Sequence, residues 1–280
     1  MADYPYIIGD FVWTAIDYLG ESGIGRWYYE GDVPGEHWTR PLFPWHAAYC
    51  GDIDLIGQRK PISHYRSMLY NEDGEQLYMA VREPDGYKGK VKTTMWGTWP
   101  TFESWNWAGH EGKNIEVEVY ARYPQVKLFL NEKLIGEKVV AEGKAVFSLP
   151  YQPGTLKAVA PNGESVTLQT AGEAKTIRLT ADHTKLKADG QDLAFITIEM
   201  LDANGVVNPT ADNQLTATVK GPATIVAFGN ADIKDCDSYA DSTHKVWKGR
   251  ALLVVRSTGK KGKVTVTVQD KSNKAQVVLK

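Results

Sequence analysis

From residue 77 onward, apolar and polar side chains alternate in short runs separated by turn dipeptides, and this period of two decides what most of the 280-residue chain can fold into. Successive side chains of a strand point to opposite faces, so Ile115-Glu116-Val117-Glu118-Val119-Tyr120 presents one apolar face, as does Val126-Lys127-Leu128-Phe129-Leu130. Asn131-Glu132, followed by Lys133-Leu134-Ile135, reads as a hairpin turn. Further strands are expected at 145–149, 155–160 and 165–170, divided by the turn pairs Pro153-Gly154 and Asn162-Gly163. The pattern then repeats over 176–181, 194–201, 215–219, 224–228, 251–256, 263–269 and 275–279. Two antiparallel sandwiches of about 100 residues each follow, the size of immunoglobulin-like domains.

The first 71 residues read differently. Tyr6-Ile7-Ile8-Gly9-Asp10-Phe11-Val12-Trp13 is a continuous apolar run, the sequence of a strand buried on both faces as in a parallel sheet. Glycine and proline are dense from 20 to 61, which leaves room for only a turn or two of helix around 45–49. Pro61 and Ser63 then open a helix whose Ile62, Tyr65, Met68 and Leu69 share one face. The order is strand, long loop, helix, which is one β/α unit. Eight of the nine tryptophans fall in the first 107 residues and only Trp247 lies beyond. Formal charge runs from −4 over 1–71 through −2 over 72–172 to +4 over 173–280, which supports boundaries near 71 and 172.

Composition excludes several functions. The hydrophobic fraction of 42% and charged fraction of 24% are those of a globular chain, and a net charge of −2 offers no basic field for nucleic acid. No run reaches the roughly 18 apolar residues of a membrane helix, and the N-terminus lacks the pattern of a secretory signal. Cys50 and Cys236 are too few for a disulfide framework or a thiolate cage. His37, His46, His64 and His110 show no metal-ligand spacing, and Asp52 and Asp54, with Asp10 upstream, lack the ligand order of a calcium loop and read as turn caps.

Three stretches resemble the C-terminal part of glycoside hydrolase family two, the group of β-galactosidases and β-glucuronidases. Ile8 to Glu21, beginning Ile8-Gly9-Asp10-Phe11-Val12-Trp13, resembles the eighth strand of the catalytic barrel and its exit loop. Tyr49 to Pro61, containing Gly51-Asp52-Ile53-Asp54, resembles the lead into the last barrel helix. Trp105-Asn106-Trp107-Ala108-Gly109-His110-Glu111-Gly112-Lys113, with Val126 to Asn131 after it, resembles the sandwich behind the barrel, and the last segment looks like a bacterial immunoglobulin-like domain. A full (β/α)8 barrel takes about 250 residues, against about 70 ahead of the sandwiches here. The resemblance therefore implies roughly one barrel unit of eight, without the two glutamates that the family carries on earlier strands.

The same resemblance implies a role for Trp13, where the family places an indole lining the bottom of the sugar subsite, at the functional end of the strand. A pyranose packs its C–H patch on such a ring while its hydroxyls bond at the edge. Asp17 and Glu21 lie just beyond, placed to hydrogen-bond hydroxyls or to cap the loop. They do not form a catalytic pair, because acid and nucleophile must flank the scissile bond from different strands. Trp96, Trp99, Trp105 and Trp107 have two readings, a glycan platform or the filling of a domain seam, and the seam is favoured because Trp105 and Trp107 sit in the post-barrel motif.

The expected fold is mainly β: two tandem immunoglobulin-like sandwiches, 72–172 and 173–280, preceded by the last β/α unit of a TIM barrel over 1–71. The expected function is that of the C-terminal portion of a retaining, β-galactosidase-like exo-glycosidase, inactive alone. The alternative is a non-catalytic carbohydrate-binding or adhesion module built on the tryptophan-rich middle domain. No catalytic residue, metal or cofactor is expected in this chain. Expected partners are a β-galactoside or related carbohydrate, the missing barrel portion and a second copy in a homo-oligomer, with no nucleic acid and no membrane. Family habit points to a periplasmic or extracellular setting.

Overall fold

Alternation becomes sheet almost wherever it occurs. The computed structural model describes residues 4, 6–9, 11–20, 24–31, 48–71 and 73–280. In chain order the first elements are β1 (Trp27–Tyr29), α1 (Pro61–Tyr70), β2 (Leu77–Arg82), β3 (Val91–Thr93), β4 (Thr101–Phe102) and β5 (Asn114–Ala121). After them come β6 (Gln125–Leu130), β7 (Lys133–Val139), β8 (Lys144–Pro150), β9 (Thr155–Val159) and β10 (Ser165–Gln169). β1 pairs only with β3. The others form two antiparallel sheets, ordered β4-β2-β5-β8 and β10-β9-β6-β7, whose inner faces share one core built on Met79, Val117, Val119, Leu128 and Leu156.

The outer face of the first sheet is covered as well. Helix α1 lays Tyr65 and Met68 against Tyr78, Ala80 and Tyr120, so β2 and β5 are buried on both sides at this point. That is why Leu77-Tyr78-Met79-Ala80-Val81 is apolar throughout, where a half-exposed strand would alternate. The hairpin between β6 and β7 turns at Asn131 and Glu132, with φ of 50° and 66°. Left-handed values at both central residues are those of the turn whose twist matches the strands. Asn131 also accepts the Thr155 N–H at 2.8 Å through its side chain, which ties the turn to β9.

The second sandwich is formed by β11 (Thr176–Ala181), β12 (Leu193–Leu201), β13 (Gln214–Lys220), β14 (Ala223–Gly229), β15 (Thr243–Lys245), β16 (Arg250–Ser257), β17 (Val264–Gln269) and β18 (Lys274–Leu279). Its sheets, β11-β12-β16-β14 and β15-β13-β17-β18, enclose a separate core including Ile196, Ile198, Leu215, Leu253 and Val266. Among the described residues no helix is long and apolar enough to cross a membrane.

The N-terminal apolar run departs from the expectation. Its described residues, 6–9 and 11–13, form no strand, and Ile8 and Phe11 are fully exposed, with Trp13 70% exposed. A parallel strand is held by neighbours on both edges, and among the described residues up to 20 only Ile16 forms a bridge to another segment, in parallel with Ile53. The helix expected around 45–49 falls mostly outside the described residues, whereas α1 spans the predicted Pro61–Tyr70.

Two leucines of one hairpin test the assignment of inner and outer faces. Leu128 is fully buried and Leu134 is half exposed. Leu128→Ala is expected to lower the unfolding free energy by roughly 2–5 kcal/mol in urea titration, and Leu134→Ala by no more than about 0.5 kcal/mol.

Candidate functional site

Of the residues singled out by sequence, Asp17 and Asp52 lie on the strip where 14–18 runs beside 48–53. Asp17 N–H donates to the Ile53 carbonyl (2.8 Å), Ile53 N–H to Ala15 (2.9 Å) and Asp52 N–H to Thr14 (3.1 Å). Gly51 makes this approach possible, since a Cβ there would stand 2.2 Å from the Asp17 nitrogen. The strip continues into α1, because the Lys60 N–H donates to the Asp52 carbonyl (2.8 Å) and Lys60 is the residue immediately before the helix.

Asp17 is turned inward. Its Oδ1 accepts from Lys60 Nζ at 2.6 Å and from the Gly51 N–H at 2.8 Å, and both side chains of the ion pair are buried. Lys60 Nζ also donates to the Tyr49 carbonyl (3.1 Å) and lies 3.7 Å from the centre of the Tyr49 ring. Burial pushes the Asp17 carboxyl up from 3.8 to about 6, against the opposing pull of Lys60, and burial lowers the Lys60 amine. Asp54 caps the next turn, its Oδ1 accepting the Ile56 and Gln58 N–H groups at 3.0 and 2.9 Å. Asp52 pairs with Arg66 of α1.

Trp13 is placed at the opposite extreme, its ring open to solvent and its Nε1–H donating to the Tyr18 hydroxyl at 3.1 Å. Glu21 lies outside the described residues, as do Asp10, His37 and His46. His64 is held by Glu75 at 2.9 Å and stacked on Tyr78 with ring centres 3.9 Å apart. The middle tryptophans divide into two sets. Trp105 and Trp107 are buried in the first sandwich core, Trp99 donates to the Glu83 carbonyl at 3.0 Å, and Trp96 is exposed.

One cluster escaped the sequence reading. Asp235, Asp237 and His244 bring metal-competent atoms within 4.8 Å of one another. His244 is fully buried against Tyr239, and its Nδ1 lies 3.2 Å from the Lys245 carbonyl. Asn230 Nδ2 donates to Asp235 Oδ2 (2.5 Å) and to the same carbonyl (3.1 Å), so these groups anchor the loop after β14. No spacing rule links a histidine seven residues beyond Asp237 to a pair of acids, and only the folded loop joins them.

Comparison with known proteins places this geometry in context. Residues 177–278 match the model of glycoside hydrolase family 2 C-terminal domain 5, and residues 112–167 match a domain of unknown function (DUF4982). The chain is 29% identical over 287 residues to beta-galactosidase BoGH2A of Bacteroides ovatus, which covers 99% of this chain and 29% of that protein. It is 26% identical over 250 residues to a putative beta-glucuronidase of Formosa agariphila, covering 86% of this chain and 21% of that protein. A crystal structure of a glycosyl hydrolase family 2 member from Bacteroides cellulosilyticus superposes with a TM-score of 0.89 at 35% identity, over 99% of this chain and 36% of that one. The chain thus spans less than a third of the length of these curated relatives.

The buried acid gives a pH test. The folded state holds the Asp17 proton to higher pH than the unfolded chain, so between about pH 4 and 6 unfolding releases it and stability falls as pH rises. Above that window the loss is complete. Wild type minus Asp17→Asn unfolding free energies, measured by urea titration at successive pH values, are expected to drop by up to roughly 3 kcal/mol across the window. A flat difference curve refutes the assignment.

Proposed function

We propose that this chain, a C-terminal part of a glycoside hydrolase family 2 protein, supplies the last β/α unit of a (β/α)8 barrel over 1–71 and two immunoglobulin-like sandwiches, 72–172 and 173–280, that brace it. The observation that carries the reading is the solvent-exposed apolar run Ile7 to Trp13, joined to one parallel bridge between Ile16 and Ile53. A run with the composition of a doubly buried strand, lacking strand neighbours among the described residues, fits a sheet completed by other residues. Helix α1 then follows the strand as a barrel helix does, and packs its far side on the first sandwich.

The whole protein, in this reading, is a retaining β-galactosidase-like exo-glycosidase acting on β-linked sugars. One carboxyl group protonates the leaving oxygen while a second attacks the anomeric carbon, and water then hydrolyses the glycosyl-enzyme with the first group as base. Both carboxyl groups belong to barrel strands other than the one supplied here. Trp13 contributes the apolar face on which the pyranose C–H patch rests. Asp17 does not reach the sugar. It is a positioning residue, whose bond to Lys60 fixes the segment that carries Trp13. We assign Glu21, four residues further along the chain, as a hydroxyl partner.

The chain alone is expected to show no turnover of an aryl β-galactoside. Co-expressed with the rest of its protein it is expected to turn the substrate over, with amide hydrogens of 6–13 gaining exchange protection and Trp13→Ala lowering kcat/KM by about tenfold or more, ~1.4 kcal/mol. Turnover by the chain alone that survives repurification overturns the reading.

A further inference from the structure

We propose a second carbohydrate site, separate from Trp13, in the cleft where the N-terminal segment meets both sandwiches, and that its ligand is a neutral oligosaccharide. The cleft has a volume of about 560 Å³ and draws its walls from all three parts of the chain. That volume is within the range of roughly 300–1,000 Å³ of small-molecule sites, which favour such junctions between domains. The inference does not depend on the barrel reading, because Trp13 and the exposed run take no part in the cleft.

Aromatic rings supply the apolar surface. Trp27 and Tyr49 come from the N-terminal segment, Phe102 from the first sandwich and Trp247 from the second. They form a continuous edge-to-face series, with ring centres 6.4 Å apart for Phe102 and Trp27, 6.4 Å for Trp27 and Tyr49, and 6.3 Å for Tyr49 and Trp247. Trp27, Tyr49 and Trp247 are only half buried, so each keeps surface for a ligand. The last tryptophan of the sequence, isolated in a segment that otherwise has none, thus stands against Tyr49 of the first segment.

The polar groups select among ligands. Lys248 holds its ammonium 3.4 Å from the Phe102 ring centre and 5.2 Å from that of Trp247. Lining carboxylates and cations are nearly equal in number, so the cleft carries no net field to attract a charged ligand. A purely apolar ligand would strip water from these groups and return no hydrogen bonds. A polyhydroxylated ring with an apolar C–H face meets both surfaces. Three of the five lining carboxylates are already engaged within the protein. Asp54 caps a turn, Glu83 accepts the Tyr29 hydroxyl, and Asp232 accepts the Lys234 N–H at 3.0 Å.

The test is calorimetric titration of the 280-residue chain with lactose, cellobiose and glucuronic acid. Saturable binding of a neutral disaccharide is expected, at least tenfold tighter than glucuronic acid. It should weaken at least tenfold in Trp247→Ala and also in Lys248→Met, which keeps the stem at this surface turn should the tryptophan variant fold poorly. Phe195→Ala, at an exposed ring of the second sandwich outside the cleft, should leave it unchanged. Absence of saturable heat with both disaccharides overturns the proposal, as does tighter binding of glucuronic acid, or loss of binding in Phe195→Ala with none in Lys248→Met. None of these outcomes touches the barrel reading, which rests on turnover in the completed protein.

Discussion

The ion pair between Asp17 and Lys60 ties the stretch at 14–18 to the start of helix α1 within the N-terminal segment. Lys60 precedes helix α1, at the end where free backbone N–H groups and the helix dipole disfavour a cation, and the first turn of α1 contains no acidic residue. Asp17 offsets that charge from across the strip. Removing two charges from water is unfavourable, and their attraction repays it only when geometry is good and other bonds satisfy the groups. Here Lys60 also reaches the Tyr49 carbonyl and Asp17 the Gly51 amide, so four residues from three stretches of chain close on one point. The carboxyl's raised proton affinity shows that burial still outweighs the pair. Such an arrangement contributes less to net stability than to fixing one geometry.

That geometry is passed on through α1. Arg66 pairs with Asp52 on the strip side, while Met68 and Tyr65 pack on Tyr78 and Tyr120 of the first sandwich. Trp13 stands only a few residues from Asp17, so its place relative to the sandwiches is set by a chain of bonded and packed groups. The two sandwiches need no such help. Each has a core with fully buried side chains from both of its sheets.

The sequence revealed the sandwiches because period two, turn pairs and β-branched runs all report on the same half-buried strands. β11 runs over the predicted 176–181, and Asn131-Glu132 turns as its residue types require. Strands of two or three residues, such as β1, β3 and β4, are too short to show a period and are fixed by their partners. For Ile7 to Trp13, composition reported the environment the run is suited to and not the one it has here. The inward turn of Asp17 could not be read, because it depends on Gly51 and Lys60, which lie 34 and 43 residues away. The cleft was equally hidden, since Trp247 and Tyr49 meet only after both flanking units have folded.

The cores of the two sandwiches and the strip at 14–18 and 48–53 are held in different ways. The run containing Ile8, Phe11 and Trp13 exposes apolar side chains to solvent, in contrast to the closed cores of the two sandwiches. Yet the strip is not left loose, because a buried charge pair and a glycine-permitted close approach hold residues 14–18 in register with 48–53. Register matters more here than stability. A shift of one residue between 14–18 and 48–53 would carry Asp17 away from Lys60. The ion pair therefore acts as a register pin between 14–18 and the segment that leads into helix α1.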